Sequence, residues 1–201
     1  MYAKRPAIAC SFMRMQGITA GHQLVVDRVR QLGNSHRDNR YAIHLSKSEN
    51  TLDNPLPYQY KLNLARDVFG SQIIIDTTYT RDLIRTPIDV AKLYSKSFTD
   101  FIFVCGSDRI DEFRALFNKY NGKEYEYESI TVVSAGNREG TPSGSQLRQA
   151  VLDNDFETYL TLIPPAMKHP DAVDMWNTLK FQMEKLSGRS ANTVTETSPS
   201  D

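Results

Sequence analysis

Phe12-Met13-Arg14-Met15-Gln16-Gly17-Ile18-Thr19-Ala20-Gly21-His22 leaves an apolar run, Ala7 to Phe12, and enters an amphipathic helix that starts near Gly21. A strand that turns into a helix through Thr-Ala-Gly-His places free backbone N–H groups, a hydroxyl and an imidazole at one helix N-terminus, where a phosphate would sit. The first-turn amides and the positive end of the helix dipole favour an anion. Gly21 lets the backbone approach it, and His22 can donate a hydrogen bond to charge that grows during a reaction. Such a site needs neither base nor nucleophile. Taken alone, the string also fits a Thr-capped helix with a surface histidine.

Outward from this stretch, strand and helix patterns alternate. Ala7 to Phe12 reads as a strand and Gly21 to Leu32 as a helix with Leu24, Val25, Val29 and Leu32 on one face. Arg40 to Leu45 is a second strand, Tyr58 to Phe69 a helix, and Gln72 to Asp76, with three consecutive isoleucines, a further strand. Pro87 sits just inside a helix start that runs on through Ile88 to Ser97. Strand Phe101 to Cys105 breaks at Gly106-Ser107-Asp108 and restarts as the helix Ile110 to Lys119; strand Ser129 to Ser134 leads through a loop to Ser143, which caps a helix from Gly144 to Leu152. This alternation predicts an α/β fold, a doubly wound parallel five-stranded sheet, with ligands bound beyond the carboxyl ends of its strands. Asp155 to Leu162 and Met167 to Leu186 read as C-terminal helices parted by Pro164-Pro165, and polar Ser187 to Asp201 as a disordered tail after a single domain over 1–186.

The composition narrows the partners. Lysine and arginine (24) balance aspartate and glutamate (24), so no global basic field for nucleic acid is present. Cys10 and Cys105 lie in apolar strands and read as buried core thiols, consistent with a reducing compartment. No stretch approaches the roughly twenty apolar residues of a membrane span, and the first apolar run is too short for a signal sequence, so a soluble cytoplasmic protein is expected. A homo-oligomer is left open.

In a doubly wound sheet the loop before His22, the Gly106-Ser107-Asp108 turn and the loop before Ser143 meet at one edge. Ser143-Gly144-Ser145-Gln146-Leu147-Arg148 brings two hydroxyls and several amides to a helix N-terminus, with Arg148 one turn on and able to reach back to a phosphate. A plain Ser cap with a solvent-facing arginine fits that string equally. Gly106 and Asp108 would border a nucleotide base or ribose, or form a tight turn capped by Asp108. Lys61 and Arg138 are candidates for a second anionic substrate. No other ligand-type residue stands at a metal-binding spacing from His22, and His36, His44 and His169 are scattered, so no protein-held metal is expected. Neither a GxxxxGK[ST] loop nor a GxSxG elbow is present.

Thr19-Ala20-Gly21-His22 resembles the (H/T)xGH signature of the nucleotidyltransferase superfamily of α/β phosphodiesterases, and Ser143 to Arg148 resembles its second signature, ISSTxxR. The resemblance spans about residues 7 to 165. Within that superfamily the chain looks most like small phage-encoded cytidylyltransferase-like proteins and nicotinamide-nucleotide adenylyltransferases. Arg14, Met15 and Thr19 to His22 match their first loop, and Asn54 to Tyr58, Ser134 to Arg138 and Asp155 to Pro164 are also similar.

The resemblance implies a Rossmann-like transferase that couples a nucleoside triphosphate to a phosphorylated acceptor and releases pyrophosphate, in the host cytoplasm if phage-encoded. Adenylyl transfer to nicotinamide mononucleotide stands ahead of cytidylyl transfer to a phosphorylated alcohol. His22 and Arg148 would stabilise charge on the α-phosphate and the departing pyrophosphate. Arg14, Thr19, Gly21, Ser143 and Ser145 would hold phosphate oxygens, and Gly106 and Asp108 would border the nucleotide. Mg2+ would come bound mainly through the triphosphate. Two positions depart from the pattern: Met13 stands for a loop glycine and Gly17 for a proline, which implies a displaced or more mobile loop. The alternative is a catalytically weak or inactive nucleotide-binding or structural phage protein of the same fold.

Overall fold

The computed structural model describes residues 6–35, 37–78, 84–136 and 140–195. Strands β1 (Ala7–Met13), β2 (Arg40–Leu45), β3 (Asp100–Cys105) and β4 (Ser129–Ser134) alternate with helices α1 (Ala20–Gly33), α2 (Tyr58–Phe69), α3 (Pro87–Tyr94) and α4 (Ile110–Tyr120). Helices α5 (Gly144–Leu152), α6 (Phe156–Leu162) and α7 (His169–Thr195) follow β4. The four strands are all parallel in the order β2-β1-β3-β4. Strand order therefore reverses at β1, and a crevice opens past the carboxyl ends of β1 and β3.

Each strand points alternate residues to opposite faces. Ala9, Met13, Ile43, Leu45 and Val104 join α1, α2 and α5 to α7 in one core layer. Ile8, Cys10, Ala42, Phe101, Phe103 and Cys105 join α3 and α4 in the other. The second layer is strongly aromatic: Phe103 meets Phe113 and Phe117 with ring centroids 4.8 Å apart, and Phe101 meets Phe117 edge-on at 5.2 Å. Cys10 and Cys105 are free, buried thiols on this side.

Three expectations are corrected. The sheet has four strands among the described residues, not five, because Gln72 to Asp76 does not extend into a ladder. The turn after α2 takes Ile73 N–H and Ile74 N–H back to Gly70 O, leaving a single bridge, Ile43 to Ile74, with Ile43 N–H donating to Ile73 O at 2.8 Å and Ile75 N–H to Ile43 O at 3.0 Å. That segment still covers the outer edge of β2. The helix expected over Ile88 to Ser97 begins at Pro87 behind a Thr86–Asp89 capping box and ends at Tyr94. Finally, α7 continues to Thr195, so 187–195, expected in the tail, is helical; 196–201 lies outside the described residues. Among the described residues no helix is long and apolar enough to cross a membrane.

Candidate functional site

A cleft of about 780 Å3 occupies the crevice at the carboxyl edge of the sheet. Arg14, Thr19, Gly21, His22, Gly106, Asp108, Ser143, Ser145 and Arg148 all line it, so the three loops singled out in the sequence do converge. Arg138 lies outside the described residues. Further lining residues not singled out from the sequence include Gln16, Asp53, Arg85 and Arg109. Arg109 directly follows the Gly106-Ser107-Asp108 turn and Gln16 lies in the first loop, so proximity to a foreseen loop was the available signal for both; Arg85, just before the α3 cap, lies outside those loops. Asp53 directly precedes the Asn54 to Tyr58 stretch that carries part of the resemblance, and had no other signal.

His22 sits at the third position of α1 and fills the place that Glu or Gln takes in a capping box. Its Nδ1 lies 3.0 Å from the Thr19 main-chain N–H and 3.0 Å from Thr19 Oγ1. A main-chain N–H can only donate, so Nδ1 is the acceptor and the neutral ring carries its proton on Nε2. Burial pushes the His22 pKa down to about 4, so the ring is neutral at pH 7. The result is a fixed N–H donor rather than an imidazolium, and Nε2–H has no protein acceptor among the described residues.

Gly21 also has a packing reason. A Cβ there would stand 2.7 Å from Pro142 O and 2.9 Å from Thr141 Cγ2, so the absent side chain lets the α1 N-terminus pack against the loop before α5. The glycine joins two halves of the site to each other. Gly17, where the resemblance expects a proline, holds φ at +96°, and a Cβ there would fall 2.5 Å from Leu147 Cδ2 on α5. Proline is confined to negative φ, so this loop takes a path the proline could not follow. Met13 ends β1 opposite Leu45 with its side chain in the core.

At α5, Ser143 Oγ accepts from Gln146 N–H at 3.2 Å while Gln146 Oε1 accepts from Ser143 N–H at 2.8 Å. Ser143 is thus the cap, and the amides of Gly144 and Ser145 stay open at the cleft. Arg148 is half-buried rather than solvent-facing: Nη1 donates to Gln16 O at 3.2 Å and Nη2 to Ser145 Oγ at 3.4 Å. Burial lowers its pKa below the ordinary arginine value, Asp53 partly offsets this and nearby Arg14 adds to it. Four arginines (14, 85, 109 and 148) and two aspartates (53 and 108) line the cleft. Arg109 is already paired with Glu112 at 2.8 Å and lies over the Phe113 ring at 4.4 Å. The remaining excess of positive charge, with two helix N-termini, suits a polyanion.

Lys61, expected to reach a second anionic substrate, is instead buried at 1% exposure. Its ammonium donates to Ser46 O at 2.8 Å, Ser48 O at 3.0 Å and Arg14 O at 3.1 Å, so all three protons are occupied. Burial lowers its pKa to about 8, with Glu49 favouring the cation and Arg14 opposing it. Asp108 lies in a single 3-10 turn, Ser107–Arg109, at the mouth of the cleft. Among the described residues no group of three or more His, Cys, Asp or Glu side chains is placed to hold a metal ion. Comparison with protein-family models gives no match, and comparison with curated proteins gives none either.

Proposed function

We propose that the chain is a nucleotidyltransferase that moves a nucleoside monophosphate from a magnesium-bound nucleoside triphosphate to a phosphorylated acceptor. The observation that carries this reading is the arrangement of two helix N-termini, α1 and α5, at one cleft with Arg14, Arg148 and a neutral His22 donor. Adenylyl transfer to nicotinamide mononucleotide is the first form of the reaction, and cytidylyl transfer to a phosphorylated alcohol the second.

An acceptor phosphate oxygen would attack the α-phosphorus in line as the bond to the bridging α–β oxygen breaks, and pyrophosphate would leave with both electrons of that bond. The acceptor oxygen arrives already ionised, so no base is required. The Nε2–H of His22 would donate to the α-phosphoryl oxygens, where charge builds. Arg148 would face the departing pyrophosphate, with the Gly144 and Ser145 amides as further donors. Magnesium belongs to the substrate in this scheme. Positioning and fixed dipoles supply the catalysis, with no covalent enzyme intermediate.

The test is pyrophosphate release with magnesium, ATP or CTP, and a panel of nicotinamide mononucleotide and phosphorylated alcohols, with His22→Ala as control. Release that needs one triphosphate, one acceptor and His22 is expected. Nucleotide binding with no release across the panel would overturn the transferase reading in favour of a binding protein.

A further inference from the structure

Lys61 is the largest buried charged side chain, and it touches the first loop where that loop borders the cleft. The ammonium gathers carbonyls from two loops, Arg14 from the first and Ser46 and Ser48 from the segment after β2. Gln16 ties the same two loops again: Nε2 donates to Ser48 O at 2.8 Å and Oε1 accepts from Leu56 N–H at 2.8 Å. Gln16 O in turn receives Arg148.

The Arg14–Met15 peptide is planar and trans, so its C=O and N–H point to opposite sides. With the Arg14 carbonyl drawn to Lys61, the Met15 N–H faces away from the ammonium. Met15 borders the cleft, its side chain is in the core, and its backbone holds φ at +45°. A non-glycine residue there persists only where its surroundings hold it. Met15 is 1% exposed, and among the described residues its N–H meets no protein acceptor. Buried amides without a partner are rare, and one bordering a cation-rich cleft suits an anion.

We propose that Lys61 is a positioning residue: by anchoring the Arg14 carbonyl it turns the Met15 N–H toward the cleft as a donor to a phosphate oxygen. The assignment of that phosphate to a nucleotide rests on the transferase reading; the anion donor itself does not.

The experiment labels the six methionines with 15N and follows the Met15 amide on adding inorganic pyrophosphate, then ATP. A downfield shift of that amide, saturating with binding, is expected in the wild type. In Lys61→Met the shift should vanish and affinity for both anions should fall about tenfold, the size of one charge-assisted hydrogen bond. Lys61→Leu, which likewise removes every donor, serves if Lys61→Met does not fold. Anion binding with a motionless Met15 amide overturns the proposal, as does a folded Lys61 variant that keeps both the shift and the affinity. A Met15 response to pyrophosphate in a protein that releases none from any triphosphate supports this proposal while removing the transferase reading.

Discussion

Substituting Gly21 by alanine tests whether the two halves of the cleft are held at a set distance. The new Cβ would lie 2.7 Å from Pro142 O, and ordinary contact begins near 3.4 Å, so the loop and the first turn of α1 must part by roughly 0.7 Å. The nearest obstacle is main chain, which cannot rotate away as a side-chain tip would. Overpacking of this kind costs about 1–3 kcal/mol. Alanine returns up to about 1 kcal/mol through helix propensity. With that return in full, the net loss is at most about 2 kcal/mol, a drop in Tm of up to roughly 8 °C for a chain of this size. The larger effect falls on function, because misplacement approaching 1 Å in a preorganised site costs on the order of a hundredfold. Thermal unfolding and pyrophosphate release, measured side by side, should show turnover down roughly ten- to a hundredfold in a protein that remains folded. A variant with unchanged Tm and unchanged turnover would refute the reasoning, since the loop would then have yielded without consequence.

His22→Ala should abolish turnover in a folded protein whose stability falls by about 1 kcal/mol, since the buried Thr19 N–H loses its capping acceptor; equal activity in both proteins would remove His22 from the mechanism. Arg148→Lys should fail nearly as badly, because a point charge cannot bond Gln16 O, Ser145 Oγ and a phosphate from one planar fork; near-wild-type kcat/KM would demote Arg148 to a surface role. His44, fully buried beside Tyr94 Oη at 2.9 Å with Nδ1 unpartnered, is pushed down to about 4 by burial. Its folded pKa lies below the unfolded value, so the unfolded chain binds the proton more tightly, and stability is flat above about pH 6.5 and falls as pH drops toward 4. The His44 contribution to that loss is about 2 kcal/mol at pH 5; denaturation of wild type and His44→Gln at pH 7 and 5 should show a smaller loss in the variant, and identical slopes would count against this account.

The alternation of strands and helices was legible because period-two and period-3.6 apolar patterns switch cleanly at Thr19, Gly106 and Ser143. The edge strand was not. Gln72-Ile73-Ile74-Ile75-Asp76 has the composition of a buried strand, yet apolar composition records burial and not ladder length, and the Gly70 turn leaves it one bridge. The polar run from Ser187 likewise reads as tail, whereas α7 extends into it to Thr195. Of the candidate site residues, those at helix N-termini were readable because local chemistry dictates what a Thr, Gly, His or Ser does there.

Sequence alone determined the order of elements, the edge of the sheet where ligands would gather and the residues that form its two helix N-termini, since these follow from contacts between near neighbours. Only the tertiary structure decided what those residues answer to. Gly21 answers to Pro142, Arg148 to Gln16, and Lys61 to carbonyls at 14, 46 and 48, partners 13 to 132 positions away. A lone lysine in a helix looks solvated until the fold brings three carbonyls to it, because a charge is buried where long-range packing supplies its hydrogen bonds.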